Sequence, residues 1–92
     1  KYKYITTIAS LEKRKGILEL IDSFALIENK IDKNIKLLIV GKDRTKKQEY
    51  LSKIKQKIKD NKLENRIILF GESNKIKEIL AISLLFILNA YW

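Results

Sequence analysis

The chain alternates between two hydrophobic patterns, one typical of amphipathic helices and the other of buried strands. Between residues 16 and 30, apolar side chains recur every three or four positions, which predicts a helix with one apolar face. The same spacing predicts a second helix over residues 46–61. Ser73 or Asn74 could cap a short third helix that ends near Ile82, because both side chains can accept a hydrogen bond from the first turn.

Four apolar segments lie between and around these helices and predict strands over residues 4–8, 35–40, 66–70 and 84–89. In the second segment, Leu37 to Val40 show no alternation of apolar and polar side chains, so we expect helices to cover both faces of this strand. Strands that alternate with helices predict an α/β, Rossmann-like fold. We expect a doubly wound parallel sheet of about four strands with helices on both faces, and residues 1–92 as one partial domain.

Composition limits the chemistry that these residues can perform. The 92 residues include no His and no Cys, which excludes disulfides, imidazole or thiol catalysis and the usual zinc sites. The absence of Met indicates a piece of a longer chain. The net charge is +9, but Lys, Ile and Asn are the residues of A/T-rich codons, so codon usage accounts for much of it. We therefore expect no specific nucleic-acid partner.

Ligands of a parallel sheet bind beyond the carboxyl ends of its strands, so the loops at those ends are the candidate site. Lys15 and Gly16 open the first predicted helix, where backbone amides, the helix dipole and an ammonium group favour a phosphate. A solvated basic turn is the simpler interpretation of the same residues. Gly41 and Gly71 directly follow two strands, where a glycine either lets a ligand approach the backbone or forms a tight turn.

We interpret the other charged residues near these loops as solvated surface residues, not as site residues. Asp43 and Glu72 lie at the same end of the sheet and could act as site carboxylates, but we interpret both as solvated loop residues. The second helix region is rich in lysine, which suits anionic lipid or RNA, but we favour a solvated outer face. These lysines are Lys46, Lys47, Lys53, Lys55, Lys57, Lys59 and Lys62.

Four segments in order resemble one family. The segments IASLEKRKGILELIDSFALI, IKLLIVGKD, NRIILFGES and ILAISLLFILNAYW resemble the C-terminal, nucleotide-sugar-binding domain of the group 1 retaining glycosyltransferases, which have GT-B architecture. The resemblance implies that Lys15 and Gly16 contact the donor diphosphate. Ser10 stands where the family commonly has an Arg that shares this task. The resemblance further implies that the loops of Gly41 and of Gly71, Glu72 and Ser73 line the nucleotide pocket.

The resemblance also implies an activity for the parent protein. Such an enzyme transfers a sugar, with retention of configuration, from a nucleoside diphosphate sugar to a glycan, lipid or small-molecule acceptor, and it needs no metal or other cofactor. The family's Glu-rich motif would begin after Trp92, so we expect no catalytic residue within this chain and no activity from it alone. We expect a cytoplasmic protein, with peripheral membrane contact left open. The alternatives are a non-catalytic Rossmann-like or flavodoxin-like partner-binding module and a basic module for RNA or lipid.

Overall fold

The apolar segments form the strands β1 (Lys3–Ile8), β2 (Ile35–Val40), β3 (Ile67–Gly71) and β4 (Ser83–Ile87) of a single sheet. They were located in a computed structural model that describes residues 2–87 of the chain. All strand pairs are parallel, and the strand order is β3-β2-β1-β4, which confirms the predicted Rossmann-like sheet. The predicted end of the last strand at Asn89 lies outside the described residues.

Three α-helices connect the strands, and their ends differ from the predicted ones. Helix α1 (Ile17–Ile27) continues as a 3-10 turn, so the predicted stretch to Lys30 is only partly α-helical. Helix α2 (Glu49–Asp60) begins later than the predicted start at residue 46. Gln48 has a positive φ of 51°, which a right-handed helix cannot contain, so the helix begins at the next residue.

The third helix, α3 (Ile76–Ala81), is short, and the predicted caps for it are wrong. The residue before its first turn is Lys75, and no side chain caps the helix. The Ser73 hydroxyl instead accepts the Lys75 amide at 3.1 Å. A serine side chain that bonds the backbone two residues ahead forms a turn of its own, and here that turn precedes the helix.

The helices bury the sheet from both sides, as predicted. Helices α1 and α2 pack on one face, where Leu37 and Ile39 of β2 point. Leu38 and Val40 point to the other face and pack with Ile79 of α3. All four of these β2 residues are buried, which confirms that a strand without alternation is covered on both faces.

The second face is less completely covered among the described residues. Ile68 and Phe70 of β3 alternate with the inward-facing Ile67 and Leu69, and they remain 36% and 53% exposed. Helix α3 is only six residues long, and its buried Ile79 packs with Leu38 and Val40 of β2. Among residues 2–87, no helix has the length and apolar character that crossing a bilayer requires.

Candidate functional site

The carboxyl ends of β1, β2 and β3 surround a cleft of about 200 Å³. Four residues predicted for the donor site line it together: Ser10, Gly41, Glu72 and Ser73. They come from three different loops, which the parallel sheet brings to the same edge. The position of the cleft agrees with the rule that ligands of such sheets bind beyond the carboxyl ends of the strands.

Backbone contacts hold the walls of this cleft close together. The Ala9 amide donates to the Val40 carbonyl at 3.0 Å, and the Gly41 amide donates to the Gly71 carbonyl at 2.8 Å. Gly41 has a φ of +152°, and a Cβ there would lie 1.8 Å from the Ala9 carbonyl oxygen. Glycine is therefore required at position 41 by the neighbouring backbone itself. Gly71 does not line the cleft, but its carbonyl fixes the position of Gly41.

Two cations and one carboxylate give the cleft its charge. Lys42 and Arg44 line it, and both pair with Glu72, whose Oε1 lies 3.6 Å from Lys42 Nζ and whose Oε2 accepts from the Arg44 guanidinium. These side chains are about half exposed, so Glu72 is a solvated loop residue as predicted, although it is ion-paired. The cleft thus carries one more positive than negative charge.

Lys15 and Gly16 are not among the residues that line this cleft. Lys15 ends a short 3-10 helix, Lys13–Lys15, and Gly16 precedes α1 with a φ of 69°, which places both at the helix start as predicted. In the first turn of α1, the Leu18 amide donates to the Tyr50 hydroxyl at 3.3 Å. One of the amides expected to face an anion is thus already bonded to α2, and the roles of Lys15 and Gly16 stay predictions.

The structure contradicts the interpretation of Asp43 as a solvated residue. Asp43 is only 2% exposed, and its carboxylate accepts the Thr45 amide at 2.9 Å and the Leu51 amide at 3.1 Å. Hydrogen bonds from the Thr45 hydroxyl and amide, with the Leu51 amide contributing less, lower the pKa of Asp43, although burial acts in the opposite direction. Asp43 is therefore a structural anchor of the loop before α2.

The side chains of the loop after β2 alternate between its two sides. Lys42 and Arg44 point into the cleft, whereas Asp43 and Thr45 face the side of the loop towards α2. An extended segment after a strand continues to place successive side chains on opposite sides. The sequence pattern drew attention to Asp43, interpreted as a solvated residue, and neither Lys42 nor Arg44 was predicted to enter the site. Counting outward with a period of two from Val40, which also lines the cleft, would have identified them.

The family model described as glycosyl transferases group 1 matches residues 1–92, which is the whole chain. The chain belongs to the group 1 glycosyl transferases. No curated protein matches its sequence.

Solved structures support the fold of this group 1 glycosyl transferase chain. The glycosyltransferase from Rickettsia africae ESF-5 superposes with a TM-score of 0.85 at 24% identity, over 98% of this chain and 23% of its own. Anabaena Alr3699/HepE in complex with UDP gives a TM-score of 0.83 at 24% identity, over 97% of this chain and 23% of its own. HepE in complex with UDP and glucose gives a TM-score of 0.80 at 25% identity, over 92% of this chain and 22% of its own. The chain thus spans less than a quarter of each of these proteins.

Proposed function

We propose that this chain forms part of the donor-binding domain of an enzyme that transfers a sugar from a nucleoside diphosphate sugar to an acceptor with retention of configuration. The observation that carries the proposal is the cleft at the carboxyl ends of β1, β2 and β3, in a chain of the group 1 glycosyl transferases. A relative of the same fold, HepE, was solved with UDP and glucose, which supports a nucleotide-sugar donor here.

The cleft has the chemistry that a nucleoside diphosphate requires. Its net positive charge, from Lys42 and Arg44 against the single carboxylate of Glu72, attracts phosphate. We further propose that transfer takes place in the cytoplasm without a metal cofactor, and that the 92 residues alone are inactive. The acceptor then binds outside the residues described here.

The first test is donor binding by the intact protein. UDP, GDP and ADP are titrated in turn by calorimetry, with the corresponding nucleosides as controls, and hydrolysis or transfer is then assayed with the matching sugar nucleotides in the presence and absence of EDTA. We expect one diphosphate to bind and its sugar nucleotide to be used in both conditions. If none binds, while a protein partner does, the chain is a partner-binding module instead.

The second test concerns Lys15, which we propose contacts the donor diphosphate. A charge-assisted contact of this kind contributes about 1.5–3 kcal/mol, so Lys15→Ala should weaken diphosphate binding about 10- to 100-fold. The matched control is Lys13→Ala, an exposed lysine in the same 3-10 helix. Wild-type affinity in Lys15→Ala would contradict the assignment. Equal losses in both variants would mean that diffuse basic charge, and not a placed ligand, attracts the donor.

A further inference from the structure

We propose that Arg44, on the loop after β2, supplies the second phosphate-binding cation that this chain lacks at position 10. The inference rests on the proposed function, because it names a residue that would hold the diphosphate of the donor. It concerns the cleft lined by Ser10, Lys42, Arg44 and Glu72, which is named the strand-end cleft below.

Ser10 leaves a gap in the charge of the strand-end cleft. The resemblance to the glycosyltransferase family implies an Arg at this position, and a serine hydroxyl provides one donor without charge. Ser10 nevertheless lines the cleft, so its short side chain leaves space where the longer one would extend. A diphosphate in that space needs a cation from another element.

Arg44 lines the same cleft from the loop after the neighbouring strand β2. It lines the cleft together with Ser10, because the extended loop after Gly41 directs Lys42 and Arg44 to this side. The guanidinium group has five N–H donors in a planar arrangement, and its described contact with Glu72 is made by one terminal nitrogen. The remaining donors can bind phosphate oxygens in the two-point geometry that arginine favours.

Glu72 holds Arg44 at the cleft without neutralising it. The carboxylate is shared between Arg44 and Lys42, so two positive charges face one negative charge. The Arg44 side chain is 61% exposed, so its remaining N–H donors are accessible to a phosphate while Glu72 holds one terminal nitrogen. Glu72 is thus a positioning residue, and Arg44 is the residue that touches the donor.

The loop that carries Arg44 is anchored well enough to place it. The neighbouring Asp43 is buried and accepts hydrogen bonds from Thr45 and from Leu51 in α2. On the other side, the Leu11 amide donates to the Lys42 carbonyl at 3.1 Å, which ties this loop to the one that carries Ser10. The loops that carry Ser10 and Arg44 are thus joined by a backbone hydrogen bond. An arginine placed at position 10 can therefore replace the charge of Arg44 in the same cleft.

The experiment is a charge exchange between the two loops in the intact protein. The variants are Arg44→Gln, Ser10→Arg and the double variant, with Arg14→Gln as the control, because Arg14 pairs with Glu12 at 2.8 Å outside the cleft lining. UDP, UMP and uridine are titrated by calorimetry, or the guanine or adenine series if the wild type prefers it, and thermal unfolding is followed for each variant.

We expect Arg44→Gln to weaken diphosphate binding about 10- to 100-fold, and nucleoside binding less than about twofold. The double variant should bind the diphosphate at least tenfold more tightly than Arg44→Gln does. Arg14→Gln should bind it as the wild type does. Unchanged melting temperatures in all variants would separate a binding effect from a folding effect.

Two results would overturn the inference while leaving the proposed function intact. One is wild-type diphosphate affinity in Arg44→Gln, and the other is an equal loss for uridine and UDP, which would place Arg44 at the base or in the fold. A failure of the wild type to bind any nucleoside diphosphate is a different outcome, because it refutes the proposed function together with the inference.

Discussion

Asp43 and Arg44 are neighbours in the sequence, yet they face opposite sides of the loop that follows β2 and have different tasks. Asp43 is buried, and its carboxylate accepts the amides of Thr45 and Leu51. Leu51 lies in the first turn of α2, where backbone amides lack partners within the helix, so Asp43 acts as a cap from outside the helix. The loop that presents Arg44 therefore depends on the charge of its neighbour.

We predict that Asp43→Asn lowers the melting temperature of the intact protein by several degrees at neutral pH. The hydrogen bonds lower the pKa of Asp43 below its ordinary value of 3.8, so the carboxylate stabilises the fold above that value. This contribution is lost as the pH falls through the lower, folded-state pKa. The difference in stability between wild type and variant should thus be constant from pH 7 to about 5 and shrink below about pH 4.

The control for this prediction is Asp60→Asn at the end of α2. Asp60 is exposed and accepts a hydrogen bond from Gln56 at 2.7 Å, and a negative charge near a helix C-terminus is not favourable. We expect that variant to be as stable as the wild type or slightly more stable. Thermal unfolding between pH 2.5 and 7 gives the melting temperature of the wild type and both variants, and a pH-independent difference for Asp43→Asn would contradict the electrostatic account.

At the scale of the elements, the contact between the end of β2 and the end of β1 depends on Gly41. We predict that Gly41→Ala costs more than about 2 kcal/mol of unfolding free energy, because the new Cβ would meet the Ala9 carbonyl oxygen in an unfavourable backbone conformation. Gly71→Ala is the matched variant. At Gly71, φ is +85° and no atom lies within 4 Å of an added Cβ, so the cost is backbone strain alone, about 1–2 kcal/mol.

Equilibrium urea unfolding of both glycine variants measures this difference. Equal losses would mean that the approach of Ala9 to Gly41 relaxes easily, and that the cleft walls are not fixed by it. Diphosphate affinity is measured in parallel, and we expect Gly41→Ala to lose it, because the strand-end cleft is built on this contact.

The elements that the sequence predicted well are those whose signal is carried by many apolar residues. The stripe of Ile17, Ile21 and Phe24 is compatible only with an amphipathic helix. The unbroken apolar run of β2 is typical of a strand buried on both faces, and the structure confirms both elements. Helix starts depend on single polar groups, and several nearby side chains can compete for them. Asp43, which lies well before α2 in the sequence, bonds its first turn, and no local pattern predicts such a contact.

The candidate site was predictable only in part, for a related reason. Topology alone brings Ser10, Gly41, Glu72 and Ser73 to one cleft, so a correct strand order is sufficient to find them. Which residue of a charged loop enters the cleft depends on the direction of each side chain. That direction is set by how far the extended backbone continues beyond the strand, and Lys42 and Arg44 were overlooked for this reason.

At the scale of the whole molecule, the exposed apolar side chains on the second face of the sheet affect how these residues behave alone. Ile68 and Phe70 lie on β3, which is an edge strand among those described, so apolar surface and unpaired backbone groups occur together. We predict that the 92-residue chain, produced by itself, self-associates at micromolar concentrations. Sedimentation velocity measures this association.

A paired substitution tests the cause of the association. Ile68→Thr with Phe70→Thr should reduce self-association at least severalfold and keep the strand, because threonine is compatible with β-structure. The control is Leu26→Gln on α1, which removes a 76% exposed side chain from the opposite face and should change little. A wild-type chain that is monomeric and unfolds cooperatively would contradict the prediction.

The position of β1 in the middle of the sheet determines the order in which the chain can be completed during synthesis. Of the four strands, β1 is synthesised first, and its partner β2 follows after α1, so this pair can form early. The other edge of β1 pairs with β4, which is synthesised last of the four strands. The hydroxyl of Thr6 in β1 shares a hydrogen bond with that of Ser83, 77 residues further along the chain. Until β4 is present, the strand that later occupies the centre of the sheet is itself an edge. In a nascent chain, this edge of β1 therefore has unpaired backbone groups that can pair wrongly until Ser83–Ile87 has been synthesised.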